Sequence, residues 1–151
     1  MFRGTHLYSV DDKGRVAVPA RFRDELSGLQ DARLVVTKFK RRNRPCLDVY
    51  PVSAWQRFVE EKLAGQRRFG KKTGVFESWY VGAAQDVQVD AQGRMLIPPT
   101  LREWAGIRRE VMFVGATEKF RIWDKEMYHE VDREDEHELF AEPDFLDELG
   151  L

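Results

Sequence analysis

The sequence has a single cysteine and no long hydrophobic run among its 151 residues. One cysteine excludes an intrachain disulfide, and Cys46, which follows Pro45 and precedes Leu47 in an apolar strand pattern, is expected to be a small core residue rather than a nucleophile. No stretch approaches the length of a membrane span, and the first residues lack the apolar core of a signal peptide. We therefore expect a cytoplasmic protein that does not associate with a membrane.

The sequence also lacks the patterns that are typical of enzymes. It has no glycine-rich phosphate loop, no nucleophile motif and no metal-ligand spacing. His129, Arg133 and His137 could share one face of a helix, but the acidic residues around them favour a solvated surface over a metal site. The sequence therefore predicts neither catalysis nor a bound metal or other cofactor.

Net charge is nearly absent as well, at −1 for the whole chain, which by itself would argue against a nucleic-acid partner. The charges are unevenly distributed, however. Residues 1–72 carry 17 basic and 8 acidic side chains, residues 73–125 carry 7 of each, and residues 126–151 carry 1 basic and 11 acidic. An acidic C-terminal segment thus masks a basic body, on which phosphate could still find a positive face.

A nine-residue pattern occurs twice in the chain. Residues 11–19, DDKGRVAVP, return 79 residues later as residues 90–98, DAQGRMLIP. Both copies read Asp-x-x-Gly-Arg, three apolar residues and proline, and Arg23 and Arg102 each follow the proline by four residues. Repetition of this kind indicates a duplicated supersecondary unit whose two copies bury their apolar faces against each other.

Each copy of the pattern predicts a turn, a strand and a short helix. Asp11 with Gly14, and Asp90 with Gly93, suit a tight hairpin turn, because aspartate can accept hydrogen bonds from the nearby backbone and glycine adopts positive φ without steric cost. The arginine after each glycine opens the returning strand on the face opposite the core, and the proline ends the strand and starts a helix. The residues predicted on the buried side of these helices are Phe22, Leu26, Leu101 and Ala105.

Each motif is followed by a predicted strand pair. Residues 34–39 and 47–50 are expected to form a hairpin around the basic loop 40–45, and residues 111–115 and 120–123 a second, tighter hairpin.

A helix is predicted after each hairpin. Ser53 is expected to cap the first and Asp124 the second. The apolar residues expected to face inward are Trp55, Phe58, Val59 and Leu63 in the first helix, and Met127, Val131 and Leu139 in the second.

The doubled pattern resembles the SpoVT-AbrB domain, and two such units in a chain of this length resemble the MraZ family of bacterial transcriptional regulators. The resemblance implies an α+β, mainly β fold in which tandem repeats form an intrachain pseudo-dimeric swapped-hairpin β-barrel with flanking helices. The expected organisation is repeat 1 at residues 5–52, a helix and connector at 53–81, repeat 2 at 82–125, and a C-terminal helix and acidic tail at 126–151.

The same resemblance implies a function. It indicates a sequence-specific regulator, most simply a repressor, that binds short tandem repeats of double-stranded DNA in the promoter of the division and cell-wall gene cluster, including its own gene. It further implies a homo-oligomeric ring associated with the nucleoid. The alternative is an antitoxin-like interaction module that binds a partner protein as well as DNA.

The DNA contacts are expected to come from the turns and from the helices behind them. The planar fork of arginine can bridge a guanine edge or clamp a phosphate. Lys13 and Gln92 occupy the same place in the two turns but differ in charge, so the two halves are expected to read different bases. The helix arginines would either steady phosphates or pair with Asp24 and Glu103 as ordinary surface charges. The predicted DNA-binding residues are Lys13, Arg15, Arg21, Arg23, Gln92, Arg94 and Arg102, and the turn-forming residues are Asp11, Gly14, Asp90 and Gly93.

Two further charged regions leave alternatives open. The basic segment 38–44 is either a solvated loop or a sequence-independent contributor to DNA binding, and the same holds for residues 67–68 and 71–72. The acidic tail could compete with DNA for a basic groove, or its apolar residues could dock on a neighbouring chain. Those apolar residues are Phe140, Phe145, Leu146 and Leu149.

Overall fold

The computed structural model describes residues 1–29, 32–65 and 70–151, so that the basic pair 67–68 lies outside the described residues. In the first repeat, the strands are β1 (Thr5–Ser9), β2 (Arg15–Ala17), β3 (Arg33–Arg41) and β4 (Arg44–Pro51), with α1 (Ala20–Ser27) between β2 and β3. The connector holds α2 (Val52–Arg57) and α3 (Lys71–Phe76), which continue as the π-helical segments Phe58–Leu63 and Glu77–Val81. The second repeat contains β5 (Gln85–Gln88), β6 (Arg94–Leu96), α4 (Pro99–Trp104), β7 (Glu110–Ala116) and β8 (Lys119–Asp124), followed by α5 (Lys125–Ala141) and α6 (Asp144–Glu148). Among the described residues, none of the helices combines the length and the apolar character that crossing a bilayer requires.

The strands form one six-stranded antiparallel sheet and one two-stranded ribbon. The order in the sheet is β1-β7-β8-β4-β3-β5, and the ribbon consists of β2 and β6. This mixed, mainly β architecture with two repeated units agrees with the expected fold class. The sheet is open, however, with β1 and β5 at its edges, whereas the resemblance implied a closed barrel.

The strands pair across the two repeats. β1 pairs with β7, β5 pairs with β3, and β2 pairs with β6, so the first two strands of each repeat bond to strands of the other repeat. The two strands that flank each turn therefore have different partners and do not continue as one hairpin. The reason is burial, since a three-residue strand such as β2 can cover its apolar face only against its twin.

The core lies between the sheet, the ribbon and the two short helices. Phe22 of α1 packs at ring-centroid distances of 4.9 Å from Phe120 and 5.4 Å from Phe2. The helix residues predicted to be buried are indeed buried, namely Phe22, Leu26, Leu101 and Ala105. Cys46 is fully buried, and burial raises the pKa of its thiol to about 12, which confirms that it is a core residue.

Both predicted hairpins are present, but their loops differ from the prediction. Arg42 and Asn43 alone connect β3 to β4, with φ of 51° and 61°, and two residues also connect β7 to β8. The second hairpin is thus no tighter than the first. The segment 40–45 belongs mostly to strands, because a two-residue turn with positive φ matches the twist of the strands and lets them extend to its edges.

The helix ends and inward faces are only partly as predicted. Ser53 lies inside α2, because Pro51 takes the N-cap position and the helix starts two residues earlier than predicted. Asp124 occupies the N-cap position of α5, but its side chain makes no capping hydrogen bond. Val131 is buried as expected, whereas Leu139 is 42% exposed. In α2 and its extension, Trp55, Phe58, Val59 and Leu63 are half-buried.

A buried ion pair joins the two repeats at the centre of the sheet. Asp48 of β4 lies directly opposite Arg121 of β8, and the Arg121 Nε donates to the Asp48 Oδ1 at 2.8 Å. Asp48 is 1% exposed, and its other carboxylate oxygen accepts a hydrogen bond from the Tyr80 hydroxyl, which lies 2.8 Å from that of Tyr50. Burial raises the pKa of both tyrosines, so their hydroxyls stay protonated and available to the network.

Removal of one partner of this pair should strongly destabilise the protein. We expect Arg121→Ala to lower the free energy of unfolding by about 3–5 kcal/mol, because it leaves the buried Asp48 carboxylate without its cation, and Asp48→Ala to cost less, because the Arg121 side chain is 20% exposed. The double variant should cost less than the two single changes together. Chemical denaturation of the four proteins in a double-mutant cycle measures this coupling, and additive costs would show that the pair is not energetically coupled.

Candidate nucleic-acid interface

The β2–β6 ribbon places the two motif arginines on one surface. Arg15 lies opposite Leu96, and Arg94 lies opposite Ala17, so all four side chains share one face of the ribbon. The central pair, Val16 and Met95, faces the other way and is buried. Arg15 and Arg94 are diagonal neighbours on this face. The backbones of diagonal neighbours are typically about 7–8 Å apart, so we expect this spacing between the two arginines.

Each arginine is held by the aspartate of its own turn. The Asp11 Oδ1 accepts hydrogen bonds from the backbone N–H of Lys13 and of Arg15, both at 2.9 Å. The Asp11 Oδ2 accepts from the Arg15 Nε at 2.8 Å. The turn also closes through its backbone, because Gly14 donates to the Asp11 carbonyl at 3.0 Å and has a φ of +84°.

The second turn repeats this arrangement. Asp90 accepts from the backbone N–H of Gln92 and Arg94 at 2.9 Å and from the Arg94 Nε at 3.1 Å, and Gly93 has a φ of +78°. Both aspartates and both glycines thus lie in turns of the same geometry, each closed by a hydrogen bond from the glycine N–H to the aspartate carbonyl at 3.0 Å. Hydrogen bonds, first among them those from the backbone N–H groups of Arg15 and Arg94, hold the pKa of Asp11 and Asp90 below the usual range, so both carboxylates stay charged at neutral pH.

The guanidinium groups are half-exposed. The side chains of Arg15 and Arg94 are 36% and 32% exposed. In the described ranges, their side-chain hydrogen bonds use Nε alone. The terminal nitrogens thus remain available to an acceptor outside the chain, and the aspartates fix the plane in which they are presented.

The helix arginines lie beside the turns of the opposite repeat, an arrangement that sequence reasoning missed. A Cβ built on Gly93 would come within 2.6 Å of the Arg23 Nη1, and one built on Gly14 would lie 3.6 Å from the Arg102 Nη1. The cause is the pairing of strands between the two repeats, which we call strand exchange. It places the end of β2 beside the turn of the second repeat, where the Val18 N–H donates to the Gly93 carbonyl at 2.9 Å. Nothing local in the sequence signals this contact between repeats.

One side-chain donor of each of these two arginines is bound to a backbone carbonyl. The Arg23 Nε donates to Val18 at 3.1 Å, and the Arg102 Nη2 donates to Arg108 at 2.8 Å. Within the described residues, neither forms the ion pair with Asp24 or Glu103 that was considered as an alternative. Arg21 is not gathered with the turns in this way: it lines a surface depression together with Met1 and Arg3.

The basic segment 38–44 is neither a loop nor a free phosphate-binding surface. The Arg41 Nη1 and the Arg42 Nε both bind Asp135 of α5 at 2.6 Å, and the Arg44 Nη2 binds Glu134 at 2.7 Å. Arg42 also binds Glu138, and Arg44 also binds Glu130. Hydrogen bonding by Arg44 holds the pKa of Glu134 below its usual range. The acidic helix thus neutralises this hairpin within the same chain.

The lysines of the same segment pack on indole rings. The Lys38 Nζ lies 4.9 Å from the ring centre of Trp79 and 5.2 Å from that of Trp104, and the Lys40 Nζ lies 5.5 Å from that of Trp104. These cation–π contacts hold both lysine side chains against the indole rings. The ribbon, rather than the hairpin, is therefore the candidate nucleic-acid interface.

Comparison with known proteins identifies the family of the chain. The model of the family described as "MraZ protein, putative antitoxin-like" matches residues 1–72 and 80–146. The chain belongs to the MraZ family. The resemblance carried by the doubled motif is thereby confirmed, and the family match covers both turns, both ribbon strands and the helices behind them.

Curated MraZ relatives match over most of their length. The protein of Nitrosospira multiformis is 42% identical over 129 residues, which is 85% of this chain and 85% of the relative. That of Acidithiobacillus ferrooxidans is 41% identical over 126 residues, 82% of this chain and 83% of the relative. That of Pseudomonas savastanoi pv. phaseolicola is 39% identical over 129 residues, 85% of this chain and 83% of the relative. Each is named "Transcriptional regulator MraZ", so these relatives are regulators and not enzymes.

The turn glycines provide a test of the site geometry. Gly14→Ala and Gly93→Ala should each destabilise the protein by about 1–2 kcal/mol, because alanine is strained at positive φ. Gly93→Ala should also displace the Arg23 guanidinium, because the new Cβ would be too close to it. At Gly14 the new Cβ would lie 3.5 Å from its nearest neighbouring atoms, which is an ordinary contact distance. Thermal unfolding measures the stabilities.

The matched control is Gly74→Ala, since Gly74 lies in a helix and a Cβ there would meet nothing within 4 Å. This change should be neutral or stabilising by up to about 1 kcal/mol. A Gly14→Ala protein as stable as the wild type would contradict the turn assignment.

Proposed function

We propose that this MraZ-family chain is a sequence-specific DNA-binding transcriptional regulator that reads double-stranded DNA with its β2–β6 ribbon. One observation supports the proposal above the others: Arg15 and Arg94 share the outward face of a single ribbon, and each is oriented by an aspartate through Nε. The names of the curated relatives support the same class of function.

A two-stranded ribbon has the dimensions that fit the major groove of B-form DNA. The terminal nitrogens of Arg15 and Arg94 would donate to guanine O6 and N7. The Nε bond to aspartate orients each guanidinium before DNA arrives, so less side-chain freedom is lost on binding. Leu96 is 46% exposed on the same face and would supply an apolar contact for a thymine methyl group.

The two halves of the ribbon would read related but unequal base sequences. Lys13 and Arg102 lie at the turn that carries Arg15, and Gln92 and Arg23 lie at the turn that carries Arg94. Lysine suits a guanine or a phosphate, and glutamine suits adenine. The helix arginines, whose partners are backbone carbonyls, would steady the phosphate backbone beside each turn.

A single ribbon makes few base contacts, so specificity would come from repetition. Each bidentate contact supplies only about 1–3 kcal/mol of discrimination. We propose that copies of the chain assemble in a ring and bind short tandem repeats together, gaining avidity without new types of contact. Repeats in the promoter of the division and cell-wall genes, including the protein's own, would then be occupied and transcription repressed at the nucleoid.

The alternative is an antitoxin-like module that also binds a partner protein, and the description of the matching family uses that word. The pairing of α5 with Arg41, Arg42 and Arg44 of the same chain argues against this helix being an arm held free for a toxin. Purification under native conditions separates the two, because a small protein that co-elutes in equal amount would favour the module.

The two ribbon arginines should carry specific binding. We expect the Arg15→Ala/Arg94→Ala protein to lose roughly thirtyfold or more in affinity for promoter DNA, because two contacts of about 1–3 kcal/mol disappear. Fluorescence anisotropy with promoter and scrambled DNA at several salt concentrations measures this change. Arg133→Ala, which removes an exposed charge from α5, should bind as the wild type does. A folded double variant that retains promoter binding would overturn the site.

The crossed arrangement of the helix arginines gives a sharper prediction. Lys13 should be energetically coupled to Arg102, which lies beside its turn, and not to Arg23 of its own repeat. In affinity measurements, Lys13→Gln and Arg102→Ala should therefore be non-additive, while Lys13→Gln and Arg23→Ala should add. The reverse result would indicate that DNA sees each repeat as a separate unit.

A further inference from the structure

We propose that the C-terminal segment 142–149 of one copy docks in the groove between the π-helical segment Phe58–Leu63 and α3 of a second copy. The inference rests on the proposed assembly of the chain into a homo-oligomer and identifies the surfaces that make it. The groove and the segment lie on different parts of the molecule and are complementary, because the groove has a basic rim and the segment is acidic.

The groove has an apolar floor and a basic rim. Phe58, Leu63 and Phe76 line its floor, Lys62 and Lys72 line its edge, and this open groove has a volume of about 290 Å³. The rings of Phe58 and Phe76 are 6.3 Å apart and both pack on Tyr80, so the floor is anchored to the core of the connector. The lining residues, all of them in the described part of the chain, include no acidic side chain.

The segment is apolar on one face and acidic elsewhere. Phe145 and Leu149 are four residues apart, as neighbours on a helical turn are, and remain 56% and 58% exposed. Asp144, Asp147 and Glu148 surround them, and residues 134–151 contain no lysine or arginine. Two large apolar side chains left in water on a short helix are suited to insertion into a partner groove.

Charge and shape together identify the occupant as this segment of another copy. Phe145 and Leu149 would enter the phenylalanine floor, and the carboxylates would meet Lys62 and Lys72. Within one chain both surfaces stay exposed, so the contact is made between copies. A contact between two different surfaces is heterologous, and it closes into a ring when the rotation between neighbours permits. The docked tail would therefore generate the array that tandem DNA repeats require.

Variants of each surface test the proposal in the full-length protein. Phe145→Ser/Leu149→Ser on the tail and Lys62→Glu/Lys72→Glu on the groove should each convert the assembled protein to a smaller species, measured as mass by light scattering. Leu151→Ser, which lies outside the helical face, and Lys71→Glu, which does not line the groove, are the matched controls and should assemble as the wild type does.

Mixing the two variants separates this pairing from any other. The groove variant keeps an intact tail and the tail variant keeps an intact groove, so a mixture should form a one-to-one heterodimer and nothing larger. Failure to form the heterodimer, unchanged assembly of either variant, or a monomeric wild type would each overturn the proposal.

Arg15→Ala/Arg94→Ala should assemble normally, and the tail variant should still bind a single DNA site. Failure of the assembly model is therefore distinct from failure of the DNA-binding model.

Discussion

The reciprocal pairing of β2 with β6 is the constraint on which the rest of the structure depends. Each strand has three residues and cannot bury its apolar face alone, so Val16 and Met95 become buried only when the two repeats meet. The same pairing sets Arg15 and Arg94 on one outward face and brings the helix arginine of each repeat to the turn of the other. The candidate interface is thus a product of the exchange and does not exist in either repeat alone.

The buried pair of Asp48 and Arg121 favours pairing between the two different repeats over pairing between two identical ones. The three-residue ladder between β4 and β8 is centred on the pair, with Leu47 opposite Ile122 and Val49 opposite Phe120. Two first repeats joined in the same way would bury two aspartates together, and two second repeats would bury two arginines, both of which are costly. Opposite charges at matching positions therefore favour the pairing of one repeat with the other. A single chain contains one copy of each repeat and so provides them in equal amounts.

The chain is nearly neutral because it contains both a basic hairpin and an acidic helix that pairs with it. The acids of α5 pair with Arg41, Arg42 and Arg44, so the most basic segment of the sequence is neutralised by residues about ninety positions away in the chain. That pairing leaves the ribbon as the surface where arginines are presented on rigid, short strands. Among the described residues, the acids of α6 form no ion pair with a basic side chain, and their position beside exposed Phe145 and Leu149 is what suits that segment to a second copy.

Local chemistry explains how much the sequence alone could determine. Turns at Asp11 and Asp90, positive φ at Gly14 and Gly93, and the buried positions of the short helices depend on hydrogen bonds and spacings within a few residues, and the sequence determined all of them. The tertiary structure alone decided that β2 pairs with β6, that Arg23 and Arg102 cross to the opposite turn, and that the basic hairpin binds α5. Those contacts join residues separated by about 70 to 95 positions, and many alternative partners satisfy the same local preferences, so only the burial of one common core selects among them.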